Sequence, residues 1–439
     1  MKWSRFNLLF IAADKNYFLF NSRTNSFLSL DRSVYESMEK KEIQEHNIDF
    51  NDLPEEILKD LIEKKIIVED WEDDNYISQM KYLKLRKSYT GSTLSLVIAP
   101  TLDCNFKCPY CYENNLPSHK MKESIQNKLI NFINMHVSRV KGLTIYWHGG
   151  EPLLAYKTIQ SIINKIEREC QIPIIDHNMV SNGYLLNKGM CSFFKEKKLK
   201  YIQITVDGTE ETHNKNRIHK AGVPTYEKII NNIDMILEEI PECNVGVRVN
   251  IHNGNKDDYA NVYKNLSHRW RNKNCKVYPA FVLAHDDKCE VSCLSPLEKA
   301  KFYIDLNKKH SIEVDFRPWI QLGSCSAIYE NHYVIDPYGN LYKCWADMGM
   351  KDRIIGNLDN SINNWKYVSE YMINSDKFSD QKCMNCSIFP ICDGGCNRYR
   401  VNKTIFNTEY NVCPIDKIGL KEYLQLIYDN EKNHKIKHE

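Results

Sequence analysis

From Thr93 to Lys309 short apolar runs alternate with amphipathic segments, and no other feature of the chain narrows its fold so far. Strand patterns fall at Leu94–Ala99, Gly142–His148, Ile174–Val180, Tyr201–Val206, Val245–Ile251 and Lys276–Phe281. Helical periodicity fills the gaps near Lys122–Val140, Tyr156–Cys170, Asn187–Lys198, Tyr226–Ile240, Asp257–Trp270 and Ser295–Lys309. Strands separated in this way by helices imply an α/β fold of six parallel βαβ units with right-handed crossovers, whose chemistry sits at the carboxyl ends of the strands.

The first strand end runs into Thr101-Leu102-Asp103-Cys104-Asn105-Phe106-Lys107-Cys108-Pro109-Tyr110-Cys111-Tyr112-Glu113, a C-x3-C-x2-C loop. A cubane iron–sulfur cluster held by three thiolates keeps one iron without a protein ligand, and that iron can chelate a substrate or cofactor; electron-transfer clusters are normally held by four cysteines. The competing chemistry is a zinc knuckle with His119 as its fourth tetrahedral ligand. No second C-x2-C follows nearby to complete an ordinary zinc ribbon.

Composition supports metal ligation over other uses of the sixteen cysteines. The chain has 439 residues, and 59 basic against 57 acidic residues leave +2, without the basic field that drives sequence-independent nucleic-acid binding. Met1 to Ala13 faintly mimics a signal peptide, but its apolar run is short and lacks a small-residue cleavage site, so it reads as a strand. No stretch approaches the eighteen apolar residues of a membrane span. Clustered cysteines without a secretion signal point to a reducing cytoplasm, and low-potential clusters to an anaerobic organism. Cys170, Cys191, Cys243, Cys275, Cys289 and Cys293 fall outside the motifs and read mostly as small core residues.

The cysteine loop and the strand ends after it resemble the radical S-adenosylmethionine (SAM) superfamily, in which the open iron binds the methionine end of SAM. The resemblance implies a partial (β/α)6 TIM barrel and hydrogen abstraction by a 5′-deoxyadenosyl radical. Cys104, Cys108 and Cys111 then hold the reactive cluster. His148-Gly149-Gly150-Glu151-Pro152 matches the GGEP segment that binds the SAM ammonium group, so Gly149, Gly150 and Glu151 become cofactor residues. By the same resemblance Asn182 of Ser181-Asn182-Gly183 lies nearby, Thr205 and Arg217 contact the ribose or carboxylate, and Tyr110 packs on adenine. Asp207, before Gly208, reads as a loop-structuring residue.

Toward the carboxyl terminus the spacing is Cys325-x13-Gly339-x4-Cys344, then Cys383-x2-Cys386-x5-Cys392-x3-Cys396-x16-Cys413. This resembles the SPASM domain of radical SAM peptide maturases. The family's connectivity implies a distal auxiliary cluster on Cys383, Cys386, Cys392 and Cys413 and a proximal one on Cys325, Cys344 and Cys396, making three [4Fe-4S] clusters with SAM. Residues 326–338 contain no further cysteine, so the fourth proximal position is open or filled by Cys289 or Cys293. Trp345 follows Cys344 where sulfatase maturases carry an aspartate proposed as a base; Asp347 is offset.

Ahead of the barrel, strand patterns at Phe6–Phe10, Tyr17–Asn21 and Ser26–Leu30 precede helical ones at Arg32–Lys40 and Pro54–Lys64. This winged-helix-like β3α3 module resembles the RiPP recognition element, which takes the leader of a precursor peptide by strand addition. The acidic run Glu69–Asp74 and the polar Lys84–Ser92 stretch read as a solvated connection. The expected organisation is 1–88 peptide-binding module and linker, 89–285 radical SAM core, 286–324 bridging segment, 325–415 SPASM domain and 416–439 terminal helix. The whole implies an enzyme that cross-links a ribosomally made precursor peptide, thioether formation favoured, with a flavodoxin- or ferredoxin-type electron donor and neither nucleic acid nor membrane as partner. The other readings are sulfatase-type oxidation of Cys or Ser to formylglycine, carbon–carbon or carbon–oxygen cross-linking, and a metal-stabilised peptide-binding protein without turnover.

Overall fold

The structure, a computed structural model, describes residues 1–12, 14–43, 54–113, 116–283, 291–313, 319–359 and 361–436. They form two compact units, one of Met1–Tyr89, Ser295–Cys325 and Glu370–Glu439, the other of Thr90–Leu294 and Ser326–Ser369. The expected 325–415 segment is thus divided between the two.

In the first unit β1 (Lys2–Trp3) pairs with β5 (Ile67–Val68), while β2 (Asn7–Ile11), β3 (Tyr17–Asn21) and β4 (Ser26–Leu30) make an antiparallel meander with β4 at its edge. Period-two alternation gives this small sheet two apolar faces. Leu9 and Leu19 pack with Tyr35 of helix α1 (Arg32–Ile43), Leu61 of α2 (Glu55–Glu63), and Ile66 and Ile67. Leu8, Phe10, Phe18 and Phe20 pack on the other face against Ile388, Ile391, Leu420 and Leu424, with Cys386 and Tyr428 beside them. One wall of the sheet's core is therefore the Cys386–Cys392 loop and the terminal helix Lys417–Ile436.

The expected solvated connection is instead helix α3 (Glu72–Tyr89). Its acidic run supplies the first turn, where negative charge suits the positive end of a helix. Asp73 is buried, accepting hydrogen bonds from Ser4 Oγ (3.1 Å) and Arg5 N (2.9 Å) with Arg23 Nη1 3.8 Å away. Lys84, also buried, pairs with Asp376 Oδ2 at 3.0 Å and donates to the Met372 carbonyl. A charge run that is normally hydrated is neutralised here by partners distant in sequence.

The second unit contains the alternating segment through its sixth strand, while the expected sixth helix lies in the first unit. Strands β6 (Thr93–Ile98), β7 (Gly142–Trp147), β8 (Ile174–Ser181), β9 (Tyr201–Thr205), β10 (Asn244–Ile251) and β11 (Cys275–Phe281) are parallel neighbours in chain order. Helices α4 (Glu123–Met135), α5 (Tyr156–Glu169), α6 (Lys188–Glu196), α7 (Glu210–Asn216), α8 (Tyr226–Glu239) and α9 (Tyr259–Arg269) connect them, and α10 (Pro296–His310), of the first unit, begins with a Ser295 capping box. The apolar stripe of α5, Ile159, Ile162, Ile163 and Ile166, is buried. Among the described residues the sheet does not close, which makes the barrel partial. Beyond β6 it continues through β12 (His332–Ile335), parallel to β6, and then antiparallel through β13 (Asn340–Tyr342), β14 (Gly356–Asn357) and β15 (Ser361–Ile362). The cysteine-rich region thus supplies four strands to the core sheet.

Because the N-terminal sheet covers the Cys386–Cys392 loop, deleting residues 1–88 is expected to expose Ile388, Ile391, Leu420 and Leu424 and to abolish amide protection in that loop. Hydrogen exchange of the truncated chain checks this; native protection there would contradict the shared core. Phe18→Ala alone should lower stability by about 3–5 kcal/mol in thermal unfolding.

Candidate functional site

The loops after β6 to β11 converge on a cavity of about 260 Å³. Cys104, Cys108 and Cys111 line it together with Tyr110, Gly149, Gly150, Asn182, Thr205 and Arg217. Of the expected cofactor residues only Glu151 stays out of the lining. Its buried carboxylate accepts hydrogen bonds from Leu153 N (3.1 Å), Ser181 Oγ (2.8 Å) and Asn182 N (2.7 Å), so it clamps the turn after β7 to the turn after β8. Burial pushes its carboxyl up even so.

The two glycines are required by protein as well as by ligand space. The backbone of Thr101–Asp103 crosses directly over them, with Glu151 N donating to Asp103 O at 2.8 Å. A Cβ on Gly150 would strike the carbonyl of Asp103, and one on Gly149, whose φ is +110°, the carbonyl of Thr101. The far side of the cysteine loop is held by the segment after α7, where Lys107 N donates to Ile218 O (2.8 Å) and Lys220 N to Asn105 O (2.8 Å). The Arg217 guanidinium lies 5.3 Å from the centre of the Phe106 ring.

Tyr110 turns its hydroxyl into a polar network: it bonds to Asp207 and accepts from Arg217 Nη1 (3.2 Å) and Asn250 Nδ2 (3.3 Å). Asp207 is more than a loop residue, because its Oδ1 accepts from Asn250 N (3.0 Å) and so joins the ends of β9 and β10. Burial and the Asp207 charge hold the Tyr110 phenol well above its usual range.

Residues that sequence reasoning passed over line the rest of the cavity: Tyr112, Glu113, Gln203, Arg248 and Asn250, with His148 known only as the start of the GGEP segment. Tyr112 OH and His148 Nε2 are 3.3 Å apart, and His148 Nδ1 is 3.8 Å from Glu113 Oε1. Burial raises the Glu113 carboxyl to about 8; burial and the Arg248 charge lower His148 to about 4. The inward alternation of β9 and β10 was the available signal for Gln203 and Arg248.

The donor set fits an iron–sulfur cluster with an attached polar ligand. Burial, with Glu151 and Glu113 nearby, pushes the Cys104 and Cys111 thiols up to about 12, and a bound metal centre supplies the positive charge that such thiolates need. Around the cavity Asn105 Nδ2, Glu113 Oε1, His148 Nδ1 and Arg217 Nε are buried without a hydrogen-bond partner among the described residues. The zinc alternative loses its fourth ligand: His119 stacks on Tyr338 with ring centres 4.0 Å apart and is absent from the cavity wall.

Of the C-terminal cysteines, Cys325, Cys383, Cys386, Cys392, Cys396 and Cys413 belong to the first unit and Cys344 to the second. Gly395 packs so closely on the Val412 carbonyl that a Cβ has no room, which brings the residue before Cys413 onto the Cys392–Cys396 loop. In the second unit Trp345 donates from Nε1 to Ser326 Oγ (3.1 Å) and meets His148 and Tyr146 edge-on, with ring centres 4.9 and 5.6 Å away. Asp347 does not take up the role left by Trp345: it is buried, paired with Arg353 (3.1 Å) and Tyr367 (3.4 Å), and does not line the cavity. Cys293 Sγ donates to Val291 O (3.9 Å), while Cys289 lies outside the described residues.

Residues 98–266 match the sequence profile of the Radical SAM superfamily, and the three cysteines on the cavity wall lie within that radical SAM segment. The chain is related to the anaerobic sulfatase-maturating enzymes. The serine-type enzyme of Bacteroides thetaiotaomicron is 31% identical over 37% of this chain and 41% of its own length. The cysteine-type enzyme of Clostridium novyi is 25% identical over 70% of this chain and 88% of its own. Two solved structures share the fold. One is anSMEcpe with bound AdoMet and Kp18Cys peptide (TM-score 0.60, 19% identity, 78% of this chain and 98% of that one). The other is Streptococcus suis SuiB bound to precursor peptide SuiA (TM-score 0.53, 15% identity, 95% and 99%). No helix among the described residues is long and apolar enough to cross a membrane.

Gly150→Ala is expected to displace the cysteine loop and lower stability by about 1–3 kcal/mol, visible in the melting temperature. A second expectation concerns acid. Burial holds His148 and His177 at about 4 and His213 and His332 at about 3, against an ordinary 6.5. At these four histidines the unfolded chain takes up protons below 6.5 while the folded one does not, so their contribution to stability should fall as pH drops from 6.5 toward 4, opposed by buried carboxyls such as Glu113, which the folded chain protonates first. His148→Gln should make that fall shallower in thermal melts across this range; an unchanged slope would place His148 in water.

Proposed function

We propose that the chain cross-links a ribosomally made precursor peptide. The observation that carries the reading is the convergence of Cys104, Cys108 and Cys111 with Gly149, Gly150, Asn182, Thr205 and Arg217 on one cavity at the carboxyl ends of parallel strands. Cys104, Cys108 and Cys111 would hold a [4Fe-4S] cluster, which together with SAM would supply the radical chemistry for hydrogen abstraction. The chain's own residues position the reactants. Gly149 and Gly150 keep the cofactor space open, Arg217 and Asn182 offer polar contacts to SAM, and Tyr112, His148 and Arg248 form the remaining polar wall for the peptide.

The edge strand β4 supports leader binding by strand addition, since its outer backbone groups have no sheet neighbour among the described residues. Cys383, Cys386, Cys392 and Cys413 would hold the distal auxiliary cluster, and Cys325, Cys344 and Cys396 the proximal one. With three cysteines at the proximal site, a substrate thiolate is the natural fourth ligand, which favours thioether formation. Each link would remove two hydrogens from the peptide, one as an atom and the other as the thiol proton plus an electron, for which an auxiliary cluster on these cysteines would be the acceptor. A flavodoxin- or ferredoxin-type protein would supply the electron that starts each turnover.

Formylglycine formation is the second reading, favoured by the alignment over most of the cysteine-type maturase. Trp345 and the buried, ion-paired Asp347 weigh against it because they leave no carboxylate in the position of the proposed base.

Anaerobic incubation with SAM and dithionite should yield 5′-deoxyadenosine, and replacing Cys104, Cys108 and Cys111 by Ala should abolish it and remove about a third of the iron. An iron content unchanged by the triple replacement would contradict the cluster assignment. Coexpression with the peptide encoded beside the gene should then show loss of two hydrogens per link with cysteine thiols consumed; loss of sulfur from the peptide would favour the maturase reading instead.

A further inference from the structure

Residues 377–413, which include the four distal cysteines, contain three buried cations, Lys377, Arg398 and Arg400, and two of them contact a cysteine residue directly. Arg400 lies one helical turn after Cys396, on helix Asn397–Phe406, and is 7% exposed. Its guanidinium spends its donors on two separate segments. Nη2 donates to Cys383 Sγ at 3.1 Å and Nη1 to Asp380 Oδ2 at 2.8 Å, while Nε and Nη2 both reach Gly394 O, at 2.9 and 2.8 Å. Asp380 is itself the N-cap of the short helix Gln381–Met384 that carries Cys383, accepting from Lys382 N at 2.9 Å. Gly394 N donates back to Cys392 Sγ at 3.3 Å. The second cation, Lys377, donates to the carbonyls of Gln321 (2.6 Å), Phe389 (2.8 Å) and Cys392 (2.8 Å).

A planar fork that binds one ligand sulfur and the carbonyl of a second ligand's loop fixes the distance between them, which a flexible ammonium cannot do. It also puts charge where a cluster would change charge. Four thiolates leave a cubane anionic, and reduction adds one more negative charge, so a buried cation hydrogen-bonded to a ligand sulfur stabilises the reduced form more than the oxidised one.

We propose that Arg400 is the positioning residue of the distal auxiliary cluster: it holds Cys383 and Cys392 in register and raises that cluster's reduction potential. The inference rests on the reading that Cys383, Cys386, Cys392 and Cys413 share a cluster.

The test uses the full chain with Cys104, Cys108 and Cys111 replaced by Ala, so that only auxiliary clusters remain, reconstituted anaerobically and titrated by electron paramagnetic resonance. Cys386→Ala in that background is the control. If it costs no iron, the cluster reading fails and the proposal with it. If it costs about half of the remaining iron, Arg400→Gln should either lose the same share or keep it with one midpoint potential moved to more negative values. Arg400→Lys, which keeps the charge and loses the fork, should restore iron and leave the potential above that of Arg400→Gln. Full iron and an unmoved potential in Arg400→Gln would overturn the proposal, as would an Arg400→Lys potential as low as that of Arg400→Gln.

Discussion

The contact on which the second unit depends is the passage of the Thr101–Asp103 backbone over Gly149 and Gly150. It leaves no space for a side chain, and Glu151 locks it by donating from its backbone N to Asp103 and binding Ser181 and Asn182 through its carboxylate. The ends of β6, β7 and β8 are thereby fixed against one another. Tyr110, Asp207 and Asn250 do the same for the ends of β9 and β10. Burial disfavours the thiolate forms of Cys104 and Cys111, which this frame holds together and which the positive charge of a metal centre would compensate.

The first unit is organised by a shared core. Its N-terminal meander is too small to bury both of its faces alone, and isolated sheets of this size are marginal. One face is closed by helices close in sequence, the other by the loop of Cys386 to Cys392 and the terminal helix, more than 350 residues away. The module that would take a leader peptide and the loop that would hold an auxiliary cluster therefore share side chains. Phe27, on the edge strand, stacks on Phe18 with ring centres 5.1 Å apart, and Phe18 meets Tyr428 edge-on.

The alternating strands and helices of the barrel were legible because each element has a local period and each turn a local signal; all six strands fall within one residue of their expected limits. The cysteine loop, Gly149, Gly150, Asn182, Thr205 and Arg217 were legible because their order along the chain matches the order of the strand ends. What the sequence hid is non-local. Glu69–Asp74 and Lys84–Ser92 looked like a hydrated connection because the partners of Asp73 and Lys84 lie at Ser4, Arg5, Arg23 and Asp376. The pairing of β12 with β6 joins residues more than 230 positions apart, and nothing in either strand announces it. Glu113 is a single polar side chain that acquires meaning only once the cavity exists, whereas Gln203 and Arg248 had the alternation of their strands as a signal.

The central claim is that Cys104, Cys108 and Cys111 hold a cluster whose open iron takes SAM. Electron paramagnetic resonance of the dithionite-reduced full chain, with Cys386 and Cys344 replaced by Ala to remove auxiliary signals, measures it directly. Binding at an open iron predicts that adding SAM shifts the g-values of the remaining signal. A reduced cluster whose spectrum is identical with and without SAM would contradict the assignment.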